Sequence, residues 1–176
     1  ASMTMDISNQ NKLSEFYEEL KRLNIKVTRP DINECFPDFR TTDNNFYYAL
    51  GGIKAVGYEA ISNVVDERVK NGKFSSINDF LKRINPKDMN KLQLEGLVKA
   101  GAFDNLNTNR QALFDSIPNF ILKTKNFFEN KSANQIDLFA EDEILENDII
   151  NDIEDWNFEE RLSKEFEAVG FFISDH

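Results

Sequence analysis

The sequence has few of the side chains that most often perform catalysis or hold metals. Cysteine and histidine occur once each, as Cys35 and His176. A single cysteine cannot form an internal disulfide, which is typical of proteins from a reducing cytoplasm. Because the only histidine is the last residue, no catalytic Cys–His pair is expected, and Cys35 is predicted to be an inert thiol.

Long apolar runs are also missing. No stretch could span a bilayer, and no basic segment followed by an apolar one indicates a signal peptide. We therefore expect a cytoplasmic protein with no membrane partner. The chain opens on Ala1 without an initiator methionine and stops after an apolar run at 169–173. We expect it to be a piece of a longer protein.

What the sequence does contain is enough apolar material for one or two small domains. It has 176 residues, of which 40% are hydrophobic and 16 are Phe. The net charge of −10 is uneven, because residues 51–131 carry 13 basic and 9 acidic side chains, whereas residues 132–176 carry 2 and 14. The basic middle could face phosphates, and the acidic end would repel them.

Hydrophobic periodicity predicts a mainly α fold with a few short strands in the first third. The segments 31–45 and 130–155 are predicted to be a polar connection and an exposed linker. Helices are predicted over 10–23, 58–71, from Ser75 to before Pro86, 90–100, over 109–128 as one or two helices around Pro118, and over 157–169, with short strands at 25–27 and 46–50.

The segment Ile53-Lys54-Ala55-Val56-Gly57 has the form of a helix-hairpin-helix loop, apolar-x-small-apolar-Gly followed by a helix. Small residues are needed there because backbone N–H groups must approach a phosphate closely at the positive end of a helix. Ala55 stands where this pattern prefers glycine. The alternative is an ordinary helix start after a glycine turn.

A second, poorer version of the pattern follows at Leu97-Val98-Lys99-Ala100-Gly101-Ala102-Phe103. Two hairpins of this kind usually form one unit that straddles both strands of a duplex. The alternative for Gly101 is a helix C-cap. If both hairpins contact DNA, they position the protein on the phosphates without reading sequence.

Several motifs occur in the order in which one known family has them. They are Ala1-Ser2-Met3-Thr4, Pro30-Asp31-Ile32-Asn33, the stretch from Tyr48 to Gly57, the stretch from Gly72 to Phe80, Leu97 to Asp104, Asn109-Arg110, and Trp156 with Glu165 to Phe171. Across almost its whole length the chain resembles the alpha subunits of bacterial replicative DNA polymerase III, the C family of polymerases.

The resemblance implies a fragment made of a distal fingers segment (1–50), a tandem helix-hairpin-helix region contacting duplex DNA (51–130), an acidic linker (131–155) and a helix leading toward an OB domain (156–176). It implies no catalytic or metal-binding residue here, because the carboxylates that hold Mg²⁺ for nucleotidyl transfer would lie upstream. Other replicative holoenzyme subunits are implied partners. The DNA-binding residues expected from the hairpins and the family are Lys54, Ala55, Val56, Gly57, Lys99, Gly101 and Arg110.

A short apolar cluster, Gln135-Ile136-Asp137-Leu138-Phe139, lies in the acidic linker. It matches the pentapeptide with which such polymerases bind the ring-shaped sliding clamp. Leu138 and Phe139 could enter an apolar cleft while Gln135 supplies an orienting hydrogen bond. The alternative is that the apolar residues pack back on their own domain.

Two other functions remain open. One is a stand-alone helix-hairpin-helix scaffold of a repair system, which would lack any polymerase reading frame upstream. The other is an acidic protein-interaction domain, which would have no affinity for DNA.

Overall fold

The computed structural model describes residues 7–132 and 149–170. The described chain is mainly helical, as predicted, and a small sheet precedes most of the helices. The helices are α1 (Ile7–Arg22), α2 (Tyr58–Asn71), α3 (Ile77–Arg83), α4 (Lys91–Lys99), α5 (Arg110–Asp115), α6 (Ile117–Ser132) and α7 (Phe158–Val169), and the strands are β1 (Lys26–Thr28), β2 (Arg40–Thr42) and β3 (Asn45–Tyr47).

The sheet has the strand order β1-β3-β2. β1 runs parallel to β3, with Val27 opposite Phe46, and β2 runs antiparallel to β3, with Thr41 opposite Phe46. Strands occur at both predicted places, but the second is shorter than the predicted 46–50, because a 3-10 helix begins at Leu50. β2 was not predicted and lies in the segment expected to be a polar connection. All three of its residues are exposed, so it lacks the apolar alternation that indicates a strand.

Local signals in the sequence fix where the helices begin and end. The side chain of Ser76 accepts a hydrogen bond from the Asp79 N–H at 2.9 Å and starts α3. Asn90 and Gln93 form a reciprocal capping box at the start of α4. Gly72 and Gly101 follow α2 and α4 with φ of 93° and 80°, a conformation that favours glycine.

Most of the core is built from the chain that follows Gly51. Ile61 of α2 and Leu97 of α4 are completely buried. Phe80 contacts Phe74 and Phe103 edge to face, at centroid distances of 5.0 and 5.1 Å. This core fixes α4 against the turns that flank it. No helix within residues 7–132 and 149–170 is long and apolar enough to cross a bilayer.

The described end of the predicted exposed linker packs on the domain. Ile149 is 4% exposed. The Asn151 N–H donates to Ser116 Oγ at 2.8 Å, and the Gln111 N–H in the first turn of α5 donates to Asp155 at 3.0 Å. Asp155 therefore satisfies one of the unpaired N–H groups at a helix start. Asn151, Asp152 and Glu154 are exposed, as predicted, but the segment is attached to the domain, because acidic composition does not distinguish a helix cap from a linker.

Candidate nucleic-acid interface

The first hairpin, residues 53–57, connects a 3-10 helix (Leu50–Gly52) to α2. Ile53 and Val56 are buried at 2% and 7% exposure, whereas Lys54, Ala55 and Gly57 are exposed. The Val56 N–H donates back to the Ile53 carbonyl at 3.1 Å, which closes the turn. Three of the four DNA-binding residues predicted in this hairpin therefore reach the surface. Val56 belongs to the core.

Ala55 adopts φ of 69°, in the left-handed region that favours glycine. The turn is thus the one for which the pattern prefers glycine, although alanine occupies it. We expect Ala55→Gly to raise the free energy of unfolding by about 1 kcal/mol, because a left-handed Cβ costs about 1–2 kcal/mol and the extra freedom of glycine in the unfolded chain offsets part of that. Urea unfolding of the two proteins measures the difference; an unchanged or lower stability of the variant would contradict it.

The N-terminus of α2 carries no side-chain cap. Gly57 is the N-cap of α2. By contrast, the N-cap side chains of α3, α4, α5 and α7 each accept a hydrogen bond from a backbone N–H; they are Ser76, Asn90, Asn109 and Asn157. A helix of 14 residues therefore presents backbone N–H groups and the positive end of its dipole beside the hairpin. Such a helix start suits an anion.

Two other helices hold the first hairpin in place. The Lys54 N–H donates to the Ala168 carbonyl of α7 at 2.8 Å. On the other side, α4 approaches so closely that a Cβ on Gly96 would lie 2.6 Å from the Lys54 carbonyl oxygen. Glycine at this position allows helix and hairpin to touch. The contact with α7 was not predicted, since Lys54 and Ala168 are 114 residues apart and no local pattern connects them.

The second turn is buried. Gly101, Ala102 and Phe103 are all shielded from solvent, and the Ala102 carbonyl accepts a hydrogen bond from the Ile32 N–H at 2.9 Å. Lys99 keeps 21% of its side chain exposed and pairs with Glu167. The turn is therefore the C-terminus of α4 packed against the domain. The predicted phosphate contact at Gly101 does not fit this burial, and the alternative of a helix C-cap does.

Arg110 is also buried, at 2% exposure, and so does not lie where a phosphate could reach it. It donates to both carboxylate oxygens of Asp104, at 2.8 and 3.0 Å, and to Glu165 at 3.4 Å. Burial lowers the pKa of Arg110, but the hydrogen bonds and charges of Asp104 and Glu165 outweigh it and raise the pKa. The predicted DNA contact by Arg110 is therefore replaced by a structural ion pair.

The pentapeptide predicted to bind the sliding clamp, 135–139, lies outside the described residues. Within the described ranges, no group of three or more acidic, histidine or cysteine side chains could hold a metal ion. The residues brought together at the surface of this region are thus the exposed part of the first hairpin, the start of α2 and the pair formed by Lys99 and Glu167.

Comparison with known proteins shows which motif this region matches. The family model of the helix-hairpin-helix motif matches residues 24–113. The whole chain aligns with proteins named DNA polymerase III subunit alpha from Borreliella burgdorferi (38% identical), Caulobacter vibrioides (35%) and Campylobacter jejuni (34%). The alignments cover 100% of this chain but only 15–16% of those relatives.

Proposed function

Because this chain belongs to the helix-hairpin-helix motif family and corresponds along its whole length to a segment of DNA polymerase III alpha subunits, we propose that it holds duplex DNA by its phosphates. One observation carries the proposal: the first hairpin, with Lys54, Ala55 and Gly57 exposed, leads directly into the uncapped start of α2. A phosphate placed there would accept hydrogen bonds from backbone N–H groups, lie at the positive end of the helix dipole and be attracted by the Lys54 ammonium.

Contacts of this kind read no bases, so the binding is sequence-independent and weakens as salt rises. The first hairpin provides the main contact, since the second turn, 101–103, is buried. The surface is small, and Glu59 in the first turn of α2 opposes an approaching phosphate. Binding by this region alone is therefore weak. Such a weak contact adds to the duplex affinity of an enzyme that is attached to the same duplex at another site.

We propose that the whole protein is a DNA-directed DNA polymerase and that it acts in replication in the cytoplasm. Its catalytic carboxylates and Mg²⁺ belong to another part, and this segment positions the duplex without catalytic residues. We also propose that 135–139 docks on the sliding clamp and that other holoenzyme subunits are partners. A stand-alone repair scaffold would share the hairpin, but similarity to a segment of DNA polymerase III alpha subunits along the whole of this chain favours the polymerase.

We expect Lys54→Glu to weaken duplex binding about tenfold at low salt, because the change removes one phosphate contact and places a repelling charge beside the helix start. The measurement is fluorescence anisotropy of a labelled duplex with the 176-residue chain at several salt concentrations. Lys70→Glu is the matched control, because Lys70 is exposed at the opposite end of α2, about 18 Å along the helix.

The control is expected to change the affinity less than twofold, since screening over that distance is strong. Equal affinities of the two variants would contradict the placement of the phosphate at the first hairpin. Binding that is insensitive to salt would contradict phosphate contact altogether.

A further inference from the structure

A cleft of about 290 Å³ is lined by the first hairpin, by α4 and by the C-terminal part of α7. Side chains of both charges line it: the positive ones are Lys54 and Lys99, and the negative ones are Glu95 and Glu167. The cleft adjoins the proposed phosphate site, since Lys54 belongs to both. Its acidic side chains therefore bear directly on how strongly an anion is held there.

Glu167 is the acidic group that the structure ties to the lysines. Its carboxylate accepts a hydrogen bond from Lys99 Nζ at 3.1 Å. That hydrogen bond lowers the pKa of Glu167, and the charges of Lys99, Lys164 and Lys54 lower it further. Glu167 is thus an anion held next to the hairpin by the same cations that would attract a phosphate.

The position of Glu167 is fixed by its neighbour. Ala168 accepts the hydrogen bond from the Lys54 N–H, so the residue before it cannot move away unless α7 leaves the hairpin. The Glu167 side chain itself is half exposed, at 50%, and can turn into solvent. The backbone at Glu167 is therefore held in place, whereas another anion can replace its carboxylate.

We propose that Glu167 competes with DNA phosphate for Lys99 and so limits the affinity of the first hairpin for the duplex. In the complex, a phosphate oxygen takes the place of the carboxylate on Lys99. This inference rests on the proposed DNA binding and adds a second lysine to it, since Lys99 becomes a phosphate ligand only when Glu167 releases it. A moderate affinity would let a moving polymerase slide along the duplex.

The test is a double-mutant cycle in the 176-residue chain, with duplex affinity measured by anisotropy at low salt. Glu167→Gln keeps the size of the side chain, and the Glu167 side chain is half exposed, so the fold is expected to remain. Glu159→Gln is the control, because it removes one negative charge from the same helix about 12 Å away.

We expect Glu167→Gln to tighten binding about three- to tenfold, the effect of one additional phosphate contact, and Glu159→Gln to change it less than twofold. Adding Lys99→Gln to Glu167→Gln should cancel the gain, whereas Lys99→Gln alone should have a smaller effect because Glu167 already occupies Lys99.

If Glu167→Gln binds no more tightly than Glu159→Gln while the unaltered chain still binds in a salt-dependent way, the competition is overturned and the proposed function stands. A gain that persists without Lys99 also overturns it. If neither the unaltered chain nor any variant binds the duplex, the proposed function fails, and the competition fails with it.

Discussion

Replacing Arg110 by methionine is expected to lower the free energy of unfolding by about 3–5 kcal/mol, the usual cost of removing one partner of a buried ion pair. Methionine has a similar length and no charge, so the change tests the ion pair more than the packing. The loss is large because Glu165 is only 1% exposed and Arg110 is 3% exposed in its side chain. Water cannot replace the guanidinium at that depth.

The effect should spread beyond the pair itself. Arg110 also donates to the Lys99 carbonyl at 3.4 Å and lies so close to Gly101 that a Cβ there would overlap the guanidinium. It therefore joins the end of α4, the start of α5 and, through Glu165, the inner face of α7. Because α7 supplies the carbonyl that holds the Lys54 N–H, the first hairpin should loosen with it.

Urea unfolding followed by circular dichroism measures the change, with Arg22→Met as the control. Arg22 also pairs with a glutamate, Glu19, but its side chain is 74% exposed, and exposed pairs contribute about 0–1 kcal/mol. A loss at Arg110 no larger than the loss at Arg22 would contradict the structural role of the buried pair.

Most of the helices could be predicted because their signals are local. Asn71-Gly72 marks the end of α2, and Ser76 and Asn90 cap the helices that follow them. Each signal needs only residues within one turn of the helix end, so one sequence is sufficient. β2 carries no such signal, because its stability comes from pairing with β3 and from aromatic packing nearby, such as Phe39 on Phe46 at 5.5 Å.

The site was only partly predictable, because the same residues serve opposite purposes in different surroundings. Gly101 has a positive φ whether its turn contacts a phosphate or packs inside the domain. What decides between the two is long-range: the Ile32 N–H covers the turn, and Arg110 lies beneath it. The role of α7 was missed for the same reason, since nothing near Glu167 in the sequence indicates Lys54 or Lys99.

Replacing both Leu138 and Phe139 by alanine is expected to weaken binding to the sliding clamp at least tenfold. The proposed contact is a short peptide in an apolar cleft. Truncating one anchor residue of this kind to alanine typically costs about 2 kcal/mol or more of binding free energy. Surface plasmon resonance with immobilised clamp and the 176-residue chain measures the affinity. Gln135→Ala should weaken it less, because one orienting hydrogen bond is lost.

The same acidic segment offers a matched control in Ile144→Ala with Leu145→Ala, a second pair of neighbouring apolar residues outside the pentapeptide. If the pentapeptide is the docking site, the control binds the clamp like the unaltered chain. If instead Leu138 and Phe139 pack on their own domain, their removal lowers the thermal stability and leaves clamp binding unchanged, which would overturn the proposal. The two measurements together separate an anchor for a partner from an anchor for the fold.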